Sequence, residues 1–156
     1  MKKCLLLLAI IILLTLQLAW PGFLIFFNCK PDLLLVFAVS LVFYLDFKTA
    51  LIFGILSGLA KDMFLPVTFA TNTISFSLLS YLIHILARRV STETNYVRFA
   101  IILIASFLNN IVAGLGIIRA GNIIPLGIFL RNLIILSVYS MALSPLIFKL
   151  IKKITT

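Results

Sequence analysis

The stretch Leu51-Ile-Phe-Gly-Ile-Leu-Ser-Gly-Leu-Ala-Lys-Asp-Met-Phe64 is largely apolar, and it carries a carboxylate close to its end. Counting back from Asp62 in steps of four gives Gly58, Gly54 and Ala50. Residues four apart lie on one face of a helix, so the stretch predicts a stripe of small side chains that ends in an acid. In a membrane, small residues allow two helices to pack closely. Placing a charged side chain at the centre of the bilayer costs about 2.5–3.5 kcal/mol, so such a side chain usually faces protein and not lipid. We therefore expect a helix-packing face with a polar anchor.

The composition of the whole chain indicates an integral membrane protein. Of its 156 residues, 63% are hydrophobic and 11% are charged, and the mean hydropathy is +1.28. A soluble domain of this composition would lack the polar side chains that cover a surface in water. Because apolar runs recur along the whole length, we expect residues 1–156 to form a single membrane domain.

Six apolar stretches predict an all-α fold, a polytopic bundle of about six transmembrane helices. The approximate spans are 4–27, 32–47, 49–65, 70–88, 98–118 and 123–149. Trp20-Pro21-Gly22 would kink or end the first span. Lys30-Pro31-Asp32 is typical of a helix start with an acidic cap, and the tight connection at 46–49 predicts that spans two and three form an antiparallel hairpin.

The distribution of charge predicts the orientation in the membrane. The net charge of +9 comes from 13 basic and 4 acidic side chains. If the N-terminus is an uncleaved, cytoplasmic anchor, most basic residues lie at cytoplasmic ends, as the positive-inside rule requires: Lys2, Lys3, Lys48, Arg88, Arg89, Arg98, Lys149, Lys152 and Lys153. We therefore expect both termini in the cytoplasm. The basic residues are not interleaved with aromatic ones, so no nucleic-acid partner is expected.

The polar residues of the spans do not make a catalytic arrangement in this topology. Ser57 lies outward of the middle of span three and His84 at the cytoplasmic end of span four, too far apart for a nucleophile and its base. Asp46 and Asp62 lie on opposite sides of the membrane, which excludes an aspartyl dyad. The sequence has no glycine-rich phosphate loop and no metal-ligand cluster, so we expect no enzyme, no cofactor and no metal.

Asp62 needs a partner if it lies inside the bundle. Arg131, near the outer start of span six, is the predicted partner, with Arg119 or lipid headgroups as alternatives. An acidic cap at headgroup level is an equally weighted interpretation of Asp62. Its neighbour Lys61 cannot share its face of the helix and is expected to extend to the interface along its aliphatic stem.

Asn109 and Asn110 form a second polar island, midway through span five. An amide in this position can hydrogen-bond to a neighbouring helix, so bundle packing is favoured over a substrate site. Gly114 and Gly116 follow and permit a close helix crossing.

Two motifs suggest a family. Pro31-Asp32-Leu-Leu-Leu opens span two, and Gly54-x-x-x-Gly58-Leu-x-x-Asp62 closes span three. Together with the length and the six-span layout, which cover essentially the whole chain, these motifs resemble the MreD family of rod-shape-determining membrane proteins. One position departs from the family pattern, since Ala70 stands where members often have glycine.

The resemblance implies a non-enzymatic scaffold of the bacterial cell-elongation machinery in the cytoplasmic membrane. Its implied partners are an MreC-like membrane protein and, indirectly, an MreB-like cytoskeleton and the peptidoglycan synthases of the side wall. The implied fold is similar to the substrate-binding subunits of energy-coupling-factor transporters. On this interpretation Ala50, Gly54 and Gly58 dock a helix, either a partner's or the protein's own, and Asp62 sets its register.

A transporter subunit that binds a vitamin-type small molecule is the alternative from another class. It would need an outer pocket, for which the sequence offers Tyr139, Asn132, Arg131, Asn72 and Asp62. The short outer loops leave little chain for the lid of such a pocket, which favours the scaffold.

Overall fold

The computed structural model describes residues 2–22, 25, 29–64, 70–90, 94–119, 121, 123 and 125–155. Its helices are α1 (Lys2–Leu18), α2 (Leu33–Tyr44), α3 (Phe47–Phe64), α4 (Thr71–Arg89), α5 (Asn95–Arg119) and α6 (Leu126–Thr155). The predicted all-α fold class is confirmed, and one described helix overlaps each predicted span.

The first and last helices differ most from their predicted bounds. α1 ends at Leu18 instead of near residue 27. Pro21 accounts for this early end, because proline disfavours a helical conformation in the residue before it and has no N–H to donate. Residues 23, 24, 26 and 27 of the predicted span lie outside the described residues. α6 continues past residue 149 to Thr155, with Pro145 inside it.

The α2 helix forms the centre of the bundle. Its residues from Leu33 to Val42 are all buried, and it packs against the other five helices. A helix that is apolar on every side is typical of a fully enclosed position. With 12 residues, α2 is about 18 Å long at 1.5 Å per residue, well short of a hydrocarbon core of about 30 Å. Its neighbours therefore extend beyond it.

Within the described residues, α5 and α6 are the two helices long and apolar enough to cross a membrane by themselves. They pack against each other and against α2. The shorter helices α1, α3 and α4 pack, like this pair, around α2.

One end of the bundle collects most of the positive charge. Arg98 donates to the Tyr44 hydroxyl at 3.0 Å, the Phe47 ring lies 4.5 Å from His84, and Phe99 stacks on Phe148. These contacts bring together the end of α2, the start of α3, the end of α4, the start of α5 and the last part of α6. We call this the basic end, for Lys48, Arg88, Arg89, Arg98, Lys149, Lys152 and Lys153. The clustering agrees with the predicted orientation, while the side of the membrane that this end faces stays a prediction.

Candidate functional site

Asp32 begins α2 and lies in the interior of the protein. Its carboxylate accepts a hydrogen bond from the Leu35 amide at 3.2 Å, which confirms the predicted acidic cap. The amide of Asp32 donates to the Ser140 hydroxyl of α6, also at 3.2 Å. The cap satisfies one of the free N–H groups of the first turn of α2, and the bond to Ser140 attaches that turn to α6.

Lys61 of α3 forms a buried ion pair with Asp32. The side chains of Lys61 and Asp32 are only 12% and 8% exposed. Asn109 of α5 donates to the same carboxylate oxygen at 3.4 Å, and the Lys61 ammonium also lies 5.4 Å from the centre of the Phe76 ring of α4. The expectation that Lys61 extends to the interface is therefore wrong. A charge in an apolar interior is stabilised by an opposite charge that is itself hydrogen-bonded. For the Lys61 ammonium, the carboxylate of Asp32 is that opposite charge.

We call Asp32, Lys61, Asn109 and Ser140 the Asp32 junction. It connects α2, α3, α5 and α6, and it lies beside the middle of the two longest helices. Asn109 is residue 15 of the 25 in α5 (109 − 95 + 1), and Ser140 is residue 15 of the 30 in α6 (140 − 126 + 1). The junction is thus deep in the bundle, where a charge that lacked a partner would be most costly.

Asp62 caps the helix that follows its own. Its carboxylate accepts hydrogen bonds from the amide and side chain of Asn72, at 3.1 and 2.8 Å, and from the amide and hydroxyl of Thr73, at 2.8 and 2.6 Å. Ala70, at the N-cap position of α4, makes no side-chain cap bond. Asp62, a residue of α3, therefore serves as the side-chain cap that α4 lacks. Its negative charge lies at the positive end of the α4 dipole.

Gly54 and Gly58 of the small-residue stripe face α4 of the same chain. A Cβ atom on Gly58 would lie 2.6 Å from Thr73 Cα and 2.8 Å from the Asn72 carbonyl oxygen, and one on Gly54 would lie 2.6 Å from Ser80 Oγ. Ala50, at the other end of the stripe, is 1% exposed. α4 of the same chain therefore covers Gly54 and Gly58, and Asp62 hydrogen-bonds across the same α3–α4 contact. The role of the stripe in docking a partner's helix or the protein's own stays a prediction.

The remaining predicted anchors are Asn110 of α5 and Arg131 of α6. Asn110 donates to the Ser137 hydroxyl of α6 at 3.4 Å, so each of the two adjacent asparagines bonds to a different helix. Burial raises the pKa of the Cys29 thiol, and the positive charge of Arg131 opposes that rise. The hydrogen bonds to Asp62 come from α4, and its pairing with Arg131 stays a prediction from the sequence.

Comparison with known families identifies the chain. The family model described as rod shape-determining protein MreD matches residues 2–154. The chain belongs to the MreD family. Membership places it among membrane proteins that determine rod shape, a family of structural proteins and not a known family of enzymes. No curated protein and no solved structure matches the chain, so a fold shared with energy-coupling-factor subunits stays a prediction.

Within this MreD-family chain, the residues suggested for a vitamin pocket do not converge. A groove of about 400 Å³ between α5 and α6 is lined in part by Asn132 and Lys30. Tyr139, Arg131, Asn72 and Asp62 are not among its lining residues, and the last two bond to each other at the α3–α4 contact. The transporter alternative gains no support from this geometry.

The Asp32–Lys61 pair is the part of the site that sequence reasoning missed, although the sequence carried a signal for it. The turn between α2 and α3 lies at Leu45-Asp46, with Asp32 thirteen residues before Leu45 (45 − 32) and Lys61 fifteen residues after Asp46 (61 − 46). In an antiparallel helical hairpin, residues at similar distances from the turn lie at similar depth. Opposite charges at matching depth in two apolar helices would have predicted an ion pair.

Proposed function

We propose that this MreD-family protein is a non-enzymatic scaffold of the membrane complex that builds side-wall peptidoglycan during cell elongation. The protein would contact an MreC-like membrane protein directly. Through that partner it would be connected to an MreB-like cytoskeleton and the peptidoglycan synthases. Family membership supports the role in rod shape. The Asp32 junction is the observation that carries the scaffold proposal.

The junction supports a scaffold because its polar groups bond to one another. The carboxylate of Asp32 accepts from Leu35, Lys61 and Asn109, while its amide donates to Ser140. A buried ion pair adds little net stability, but separating its partners leaves a charge without a counter-ion in the interior, which is strongly unfavourable. The pair therefore favours the one arrangement of helices in which its two side chains meet. A bundle held in one arrangement presents a constant outer surface to partner proteins.

We infer that the MreC-like partner packs on the outer surface of the bundle, because α4 covers Gly54 and Gly58. Exposed apolar residues occur on several helices, among them Ile11 of α1, Ile74 of α4 and Leu146 of α6. A photoreactive amino acid at each of these positions should crosslink to the partner from at least one of them, and Ala50 is the buried control. Crosslinking from Ala50, and from none of the others, would assign the stripe to the partner after all.

A depletion experiment tests the function itself. Rod-shaped cells that depend on this protein should become round when it is depleted, and the wild-type protein should restore both rod shape and co-purification of the MreC-like partner. If depleted cells kept their shape and instead lost uptake of a labelled vitamin, the scaffold proposal would fail and the transporter alternative would replace it.

A further inference from the structure

A groove of about 390 Å³ opens at the basic end of the α3–α4 pair. It is lined by Phe47 at the start of α3 and by residues of the last turns of α4: Tyr81, His84, Ile85, Arg88 and Arg89. The Phe47 ring lies 4.5 Å from the imidazole of His84 and 6.1 Å from the Tyr81 ring. The described lining residues include two guanidinium groups and no acid, so the groove matches an anion.

An apolar strip on the outside of α4 leads to this groove. Leu78, Tyr81, Leu82 and Ile85 are all exposed. Their spacing of three and four residues puts them on one face of the helix, and that face ends at Arg88 and Arg89. A ligand that fits both features has a negatively charged head and an apolar tail.

We propose that the groove binds the headgroup phosphate of an anionic phospholipid, with an acyl chain against the strip of Leu78, Leu82 and Ile85. Arginine donates through a planar fork that matches the oxygens of a phosphate. Basic pockets between helices at the cytoplasmic side are suited to anionic headgroups. The strip distinguishes a lipid from free phosphate, which would gain nothing from it. This binding site is independent of the scaffold proposal.

A simpler explanation of Arg88 and Arg89 is that they only provide positive charge. Cations in the last turn of a helix complement its dipole and satisfy the positive-inside rule. Lys152 and Lys153 hold the same position in α6, and they are not among the residues that line this groove. The Arg88/Arg89 pair and the Lys152/Lys153 pair can therefore be compared directly. Both pairs carry two positive charges at a helix C-terminus, but of the two only the Arg88/Arg89 pair is among the described residues that line the groove.

Native mass spectrometry of the full-length protein in detergent tests the proposal, with phosphatidylglycerol and phosphatidylcholine as probes. Wild-type protein should retain phosphatidylglycerol in preference to phosphatidylcholine. The double variant R88Q/R89Q should weaken phosphatidylglycerol binding by about 25-fold, because each of the two cations near an anionic headgroup contributes about fivefold. The double variant K152Q/K153Q should leave binding nearly unchanged. Equal losses in both variants, or no preference in the wild type, would overturn the proposal.

Three further measurements separate the proposal from other causes. An excess of inorganic phosphate should leave the bound phosphatidylglycerol in place, and its displacement would assign the groove to a free anion. The double variant R88K/R89K keeps both positive charges, so it should fold and insert like the wild type. It should still weaken phosphatidylglycerol binding, because lysine lacks the planar, forked guanidinium group that matches a phosphate. Wild-type protein should crosslink to a phosphatidylglycerol with a photoreactive acyl chain within residues 78–89, and crosslinks confined to other helices would contradict the site.

Discussion

At the scale of single residues, Lys61 is the counter-ion of the Asp32 carboxylate. Lys61→Met would leave the carboxylate buried without its counter-ion, and removal of one partner of a buried pair costs about 3–5 kcal/mol. We therefore expect Lys61→Met to lower the free energy of unfolding in detergent by an amount in that range. Lys152→Met, which changes an exposed lysine of the basic end, is the control and should have little effect.

A double variant tests whether the ion pair is the cause. Asp32→Asn/Lys61→Met removes both charges, and asparagine can still cap α2. It should be more stable than Lys61→Met alone, because no uncompensated charge remains. Strictly additive effects of the two substitutions would contradict the pairing.

Asp62 is a residue whose role is set by the next helix. Asp62→Ala removes the acceptor for Asn72 and Thr73, and the loss of a helix cap costs about 0.5–2 kcal/mol. We expect a loss of that size in chemical unfolding and a smaller one for Asp62→Asn, which keeps an acceptor oxygen. A double-mutant cycle of Asp62→Asn with Arg131→Gln tests the predicted pairing of Asp62 with Arg131. A coupling energy above about 0.5 kcal/mol would show that these two side chains interact.

At the scale of helices, the α3–α4 contact depends on the backbone of Gly58. A Cβ there would meet the α4 backbone at Thr73, which cannot rotate away, whereas one on Gly54 would meet the movable Ser80 hydroxyl. Gly58→Ala should therefore destabilise the protein by about 1–3 kcal/mol, the usual cost of overpacking, and Gly54→Ala by less.

Gly127 provides the control for this prediction. It lies in the first turn of α6, and a Cβ there would have nothing within 4 Å. Gly127→Ala should be neutral or slightly stabilising, since alanine favours helix over glycine by about 1 kcal/mol. The three variants should rank Gly58, Gly54, Gly127 in decreasing loss of thermal stability, and any other order would mean that α4 is not held as closely as described.

At the scale of the whole molecule, the basic end defines an orientation that labelling can test. In a Cys4→Ser/Cys29→Ser background, Ile123→Cys, at a position 96% exposed and three residues before α6, should react with a membrane-impermeant maleimide on intact cells. Lys153→Cys, at the basic end, should react only after lysis. The positive-inside rule is the reason, because it keeps the basic end in the cytoplasm. The opposite labelling pattern would reverse the predicted orientation.

The amino-acid sequence alone determined the features that depend on neighbouring residues. Apolar runs predicted six helices, Pro31-Asp32 predicted the capped start of α2, and Gly54-x-x-x-Gly58-Leu-x-x-Asp62 indicated the MreD family that the family match confirms. Each of these signals is local, because hydrophobic runs, caps and proline effects act within a few turns of the chain.

Only the tertiary structure decided which helices meet. It paired Asp32 with Lys61, used Asp62 to cap α4, and placed α4 over Gly54 and Gly58. In an apolar environment many helix neighbours bury similar surfaces, so hydropathy does not distinguish among them. The polar contacts that do distinguish them, such as Asn109 with Asp32, join residues far apart in the chain and exist only after the bundle has formed.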